Sequence, residues 1–164
     1  MVVMNKKCQV FTPVGYVKEL LDGVGYTNNL YGRKVLENSC GDGNILLAIV
    51  ERYIDDARTS GISNEEIGVG LSRDIYGVET DPVKHDKCIR NLDKLTVSKG
   101  LKKIAWNILN DDYLKWKCHD KFQYIVGNPP YITYQELGED ERIYLRENYS
   151  TCQITIINSI KDNK

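Results

Sequence analysis

The chain has 164 residues, 41% of them hydrophobic and 27% charged, with a formal net charge of −1. That balance fits one globular domain of ordinary composition with a sizeable core, and no global basic field announces a polyanion partner, leaving room for a local basic patch. Five scattered cysteines (Cys8, Cys40, Cys88, Cys118, Cys152) form no C-x-x-C pair, His85 and His119 lack metal-ligand spacing, and no apolar run reaches membrane-spanning length. Reduced thiols, no metal site, no membrane span and a cytoplasmic location are therefore expected.

In chain order, Val14, Val17, Leu20, Leu21 and Val24 form a helical stripe from Pro13 to about Gly25, with Thr12 as N-cap and Pro13 at the first helical position. A short strand follows over Lys34–Glu37 and ends in Asn38-Ser39-Cys40-Gly41-Asp42-Gly43. Asn44 to about Ala57 reads as a helix, and residues 58–72, polar and glycine-bearing, read as a surface connection. Ile75–Glu79 is the second predicted strand, and Asp81-Pro82 opens a helix with His85, Ile89, Leu92 and Leu95 or Thr96 on one face. Ile104, Trp106 and Ile108 alternate as a third strand. Residues 122–126, nearly continuous in apolar side chains, predict a fourth and central one. A charged helix covers about Glu139 to Asn148. Alternating strands and helices imply an α/β fold with a parallel sheet and right-handed crossovers. Ligands of such sheets gather at the carboxyl ends of the strands. The polar oddities of this sequence fall there, at Glu37–Gly43, Glu79–Asp81, Asp111-Asp112 and Asn128–Tyr131.

The chemistry of these ends is uneven in its specificity. Gly41-x-Gly43 between strand and helix lets backbone approach a ligand, but a tight turn alone also needs glycine. Leu46 takes the place of the third glycine of a dinucleotide fingerprint, and Glu79 lies well beyond the roughly 20-residue interval expected of its acidic partner. A nicotinamide cofactor is disfavoured. Glu79 is placed to accept from ribose hydroxyls, or else serves as an acid at a helix N-terminus, a role that suits Asp81 better. Asp111 or Asp112 beside Tyr113 suits an adenine amino group and its ring face, or a solvated turn over a buried tyrosine.

Asn128-Pro129-Pro130-Tyr131 is the most specific segment. An exocyclic adenine amine is a poor nucleophile because its lone pair is delocalised into the ring. Acceptors fixed at the Asn128 side-chain oxygen and the Pro129 carbonyl would bind its two N–H groups and free the lone pair, with no strong base needed before attack. Tyr131 would stack on a base withdrawn from its duplex. A proline-rich strand stop explains the prolines but not the flanking asparagine and tyrosine.

Together these segments resemble the amino-group DNA methyltransferases of the N6-adenine kind, in the gamma arrangement, which use S-adenosylmethionine. The large restriction-modification group that includes type IIG enzymes is the nearest in character. "VFTPVGYV" (10–17) resembles the family's N-terminal motif, "VLENSCGDGNIL" (35–46) its cofactor loop and "YGVETDP" (76–82) its ribose-binding strand. "NDDYL" (110–114) resembles its adenine-contacting strand end and "VGNPPYI" (126–132) its catalytic motif. The resemblance covers about residues 8–150. It implies a Rossmann-like methyltransferase fold of which the first four strands are present, with residues 151–164 matching nothing in the family.

Carried over residue by residue, Phe11, Thr12 and Pro13 would contact the methionine part of the cofactor. Glu37 and the backbone of Cys40, Gly41 and Gly43 would hold its amino acid end. Glu79 would hold the ribose, and Asp112 with Tyr113 the cofactor's adenine. Asn128, Pro129, Pro130 and Tyr131 would hold the target base. Asn38 departs from the family, which usually has proline there. The resemblance further implies double-stranded DNA with a flipped adenine as partner and a target-recognition domain that this chain lacks. An exposed sheet edge that self-associates or takes a missing half follows from the early stop. Two other readings compete: a protein-glutamine methyltransferase, whose amide nitrogen poses the same lone-pair problem, and a non-catalytic remnant or interaction module.

Overall fold

Four short parallel strands organise the larger of two units into which the chain divides, Val10–Pro129. The computed structural model describes residues 14–128 and 137–148. The strands β1 (Val35–Glu37), β2 (Ile75–Val78), β3 (Asn107–Leu109) and β4 (Tyr124–Val126) pair in the order β3-β2-β1-β4. Val35 stands opposite both Ile75 and Tyr124, and Gly77 opposite Ile108. Two crossovers step outward from β1 to β3, and the chain then returns to the other side of β1. This is the Rossmann-like α/β arrangement, and its topological switch point lies between the carboxyl ends of β1 and β4.

The helices follow from spacing and caps. α1 (Val14–Gly23) buries Val17 and Leu21, while Val24, past its end, is exposed; Thr12 and Pro13 lie outside the described residues. α2 (Asn44–Thr59) buries Ile45, Leu46, Ile49, Val50, Tyr53, Ile54 and Ala57, a broad stripe of paired positions one turn apart. Each large apolar side chain in that stripe contributes about 1.5–3 kcal/mol of transfer free energy. α4 (Pro82–Ser98) starts where the sequence predicts, with Asp81 accepting from the Val83 and Lys84 amides and Pro82 in the first turn. Its buried face is Cys88, Leu92 and Thr96. His85 is half-buried, its Nε2 bonding the Ile108 carbonyl at 3.0 Å.

Two expectations are corrected. The segment expected as a surface connection holds most of α3 (Asn64–Asp74), which opens with a Ser63/Glu66 capping box and buries Ile67, Gly70 and Leu71. The strand expected to be central, β4, pairs only with β1 among the described residues, and Ile125 is 54% exposed. In the second unit, formed by Met1–Gln9 and Pro130–Lys164, α5 (Glu139–Asn148) spans the predicted charged helix. It carries three acids in its first turn and Arg146 in its last, the polarity a helix dipole favours.

Candidate functional site at the carboxyl ends of the strands

Glu37 closes β1 and is 2% exposed. Burial pushes its carboxyl well above the ordinary range, the Glu79 charge adds to the shift, and the Leu46 N–H at the start of α2 opposes it. Its Oε2 has no hydrogen-bond partner, and neither do the next two side-chain acceptors along the chain, Asn38 Oδ1 and Ser39 Oγ, all of them buried. The Asn38 backbone N–H reaches across the switch point to the Val126 carbonyl at 3.3 Å. Its amide oxygen fills the space a Cβ on Gly127 would take, and Ser39 Oγ lies 3.6 Å from that point. Asn128 follows directly, half-buried.

The glycine loop is anchored from behind. Gly41 and Gly43 adopt left-handed φ values of 52° and 92°. A Cβ on Gly43 would lie 2.7 Å from Cys88 Sγ, whereas one on Gly41 would meet nothing within 4 Å. Gly43 is therefore a packing glycine, and Gly41 presents bare backbone to open space. The amides of Cys40, Gly41 and Gly43 donate within the protein, to Val78 O, Glu79 Oε2 and Cys40 O. A phosphate cradle would aim such amides at the ligand, so this loop suits a ligand without phosphates at that point. Cys40 packs its thiol against Cys88; that contact and burial raise its pKa far above the ordinary value, so it stays a neutral plug. Lys87 Nζ and Asn91 Nδ2 hold Asp42 from α4, at 2.6 and 3.0 Å.

Glu79 ends β2 with its carboxylate turned back on the backbone, accepting from the Gly41 and Asp81 amides, each at 2.8 Å. It welds the glycine loop to β2 while each oxygen keeps acceptor capacity. Beyond β3, Asn110 Nδ2 donates to the Glu79 and Thr80 carbonyls at 2.8 and 3.1 Å. Asp112 caps its own turn through the Leu114 amide at 3.0 Å and pairs with Lys115 at 3.4 Å; Tyr113 is half-buried.

The structure thus places Glu37, Cys40, Gly41, Gly43, Glu79, Asp112, Tyr113 and Asn128 along one carboxyl edge of the sheet. Phe11, Thr12, Pro13, Pro129, Pro130 and Tyr131 lie outside the described residues. Ser39, Asn91 and Asn110 were not singled out by sequence. For Asn110 the signal was an amide at a strand end; for Ser39 and Asn91 there was none, since their surroundings arise only from the packing of distant segments. Among the described residues no group of three or more His, Cys, Asp or Glu is arranged to hold a metal ion. Nor is any helix there long and apolar enough to cross a membrane.

The family model described as Eco57I restriction-modification methylase matches residues 29–158. A type II methyltransferase of Geobacillus stearothermophilus, M.BstVI, is 35% identical over 87% of this chain, which spans 28% of that protein. The modification methylase CviBIII of Paramecium bursaria Chlorella virus NC1A is 31% identical over 78% of the chain and is spanned to 27% of its length. A solved structure of the type ISP restriction-modification enzyme LlaGI, nuclease-deleted and in complex with a DNA substrate mimic, aligns over 65% of this chain and 10% of its own. Its TM-score is 0.51 at 17% identity, a likeness of fold.

Proposed function

This chain belongs to the Eco57I restriction-modification methylase family, and we propose that it is the cofactor-binding and catalytic part of an S-adenosylmethionine-dependent DNA methyltransferase acting on the N6 amine of adenine. The observation that carries the reading is that Glu37 Oε2, Asn38 Oδ1 and Ser39 Oγ, consecutive in the turn from β1 into the glycine loop, are each buried without a hydrogen-bond partner. Buried acceptors without donors are what a ligand rich in N–H groups would satisfy, so the residues present fit such a cofactor.

When bound, S-adenosylmethionine supplies an electrophilic methyl group on a sulfonium centre. Glu37 and the bare backbone of the glycine loop would hold the cationic amino acid end, and Glu79 would accept from the ribose with its remaining acceptor capacity. Asp112 and Tyr113 would contact the adenine, and Phe11, Thr12 and Pro13 the methionine part. On the substrate side, Asn128 and Pro129 accept from the two N–H groups of the target amine, which turns its lone pair outward. Tyr131 stacks on the flipped base of double-stranded DNA.

Two assays test this reading. Calorimetric titration with S-adenosylhomocysteine is expected to give saturable heat, and its absence removes the cofactor assignment. Incubating chain, DNA and isotopically labelled S-adenosylmethionine, followed by nucleoside digestion, is expected to place any label in N6-methyldeoxyadenosine. Label in a cytosine, or in a glutamine of an added protein, would contradict the substrate assignment.

A further inference from the structure

The connection from β3 to β4 carries Lys115, Lys117 and Lys121 in one short run, interleaved with Trp116 and Phe122. Packing fixes its path. The rings of Trp116 and Phe122 lie 6.5 Å apart between centroids, which closes residues 117–121 into a loop. Phe122 in turn meets Tyr76 of β2 edge-on at 5.0 Å, and Lys34 Nζ stands 5.3 Å from the centre of that tyrosine ring. The loop's single acid, Asp120, is engaged on the same side: it pairs with Lys34 and accepts from Tyr76 Oη at 3.2 Å. Lys117 and Lys121 are exposed and make no hydrogen bond or ion pair among the described residues. The loop is thus anchored by aromatic contacts, its acid is neutralised by a lysine from outside it, and two of its cations are left uncompensated. That is a local basic patch on a chain whose formal net charge is −1.

The patch lies by the strand entries, away from the carboxyl edge. Lys34 leads into β1 and Gln123 into β4, and the two are bonded together: the Lys34 N–H donates to Gln123 Oε1 at 2.7 Å, and the Lys34 carbonyl accepts from the Gln123 N–H at 3.0 Å. Gln123 and Asn128 are five residues apart in the chain, a span of at most about 18 Å. One strand of a duplex advances about 3.4 Å per nucleotide, so that span corresponds to roughly five phosphates. We propose that Lys117 and Lys121 contact the phosphate backbone of duplex DNA, roughly five nucleotides from the base offered to Asn128. Contacts of this kind set register and orientation and carry no sequence information. The proposal rests on the DNA reading above and adds to it a surface separate from the cofactor and the reacting amine.

The test is fluorescence anisotropy of a labelled duplex titrated with the 164-residue chain and two double variants, over a series of salt concentrations. Lys117→Gln/Lys121→Gln removes the proposed contacts. Lys102→Gln/Lys103→Gln removes the same charge from the approach to β3, where both lysines are likewise exposed and make no hydrogen bond or ion pair among the described residues. The loop variant is expected to bind about tenfold or more weakly at about 50 mM salt, with a log–log salt slope shallower by about 2. The second variant is expected to bind as the parent does, and all three proteins to melt alike because every altered side chain is exposed. If the loop double variant melts lower, Lys117→Gln alone carries the comparison with about half the change in slope. Equal losses in both double variants, or none in the loop variant, would overturn this inference and leave the DNA reading standing. Competition by polyglutamate as effective as competition by unlabelled duplex of equal charge would assign the loop to an acidic protein segment and likewise overturn it. Failure of the parent to bind duplex at all would overturn both.

Discussion

Burial raises the Glu37 carboxyl well above the ordinary 4.5, with Glu79 reinforcing the shift against the Leu46 amide. The linkage sign follows. Between its unfolded and folded pKa values the folded chain keeps a proton that the unfolded chain has released, so stability falls as pH rises through that window. Glu37→Gln, neutral at every pH, is expected to melt higher than the parent at neutral pH, with the gap closing below about pH 4.5. The same change is expected to weaken S-adenosylhomocysteine about tenfold or more, since a charge-assisted contact becomes a neutral one. Thermal melts across pH with a parallel binding titration check both; a variant that melts lower at neutral pH and binds normally would refute the role given to Glu37. Sequence pointed to Glu37, Glu79, Asp112 and Asn128 because parallel sheets put ligands at strand ends. The packing of the Asn38 amide against Gly127 was not readable there, since it depends on Gly127 arriving beside it through the β1–β4 register.

α3 shows what hid an entire element. Its polar surface and the glycines Gly68 and Gly70 read as connection, although Ser63-x-x-Glu66 was a start signal in plain view. The two glycines have opposite reasons to be there. A Cβ on Gly70 would collide with the Tyr53 hydroxyl and come within 2.8 Å of the Tyr31 ring, while one on Gly68 would meet Ile104 at an ordinary 3.5 Å. Gly70→Ala is therefore expected to destabilise by about 1–3 kcal/mol through overpacking. Gly68→Ala is expected to stabilise by up to about 1 kcal/mol through helix propensity. Chemical denaturation of both distinguishes these signs, and equal effects would contradict the packing described.

At the end of the same helix, Asp74 is 1% exposed and accepts from Tyr53 Oη at 2.6 Å, the Gly32 amide at 2.9 Å and the Arg73 guanidinium. Burial alone would raise its carboxyl, but the Arg73, Tyr53 and Gly32 contacts outweigh it and lower the pKa below 3.8. Its contribution is present above the unfolded value and is lost as pH falls through the folded one. Asp74→Asn is expected to lower stability at neutral pH by about 1–3 kcal/mol and to flatten the acid limb of the stability curve. An unchanged acid limb would place that slope in other carboxylates.

The whole unit is arranged around one switch point. The order β3-β2-β1-β4 brings the Glu37–Gly43 loop and the Gly127-Asn128 exit side by side, while Glu79 and Asn110 fasten the neighbouring strand ends to them. The parallel class and the rough places of the strands were legible from short apolar runs, although β3 starts at Asn107, after Ile104 and Trp106, two of the three residues whose alternation predicted it. The place of β4 was not, because an apolar strand reads alike whether it has one neighbour or two, and among the described residues it pairs with β1 and leaves Ile125 exposed. The chain spans about a quarter of the curated relatives it matches, so the site is best tested through what its own residues bind. The direct measurement is calorimetric titration of S-adenosylhomocysteine at neutral pH in two buffers of different ionisation enthalpy. The account predicts saturable binding whose heat differs between the buffers, because an ammonium beside Glu37 lowers a carboxyl pKa that burial has raised and so releases protons. Absence of saturable binding, or binding with the same heat in both buffers, would contradict it.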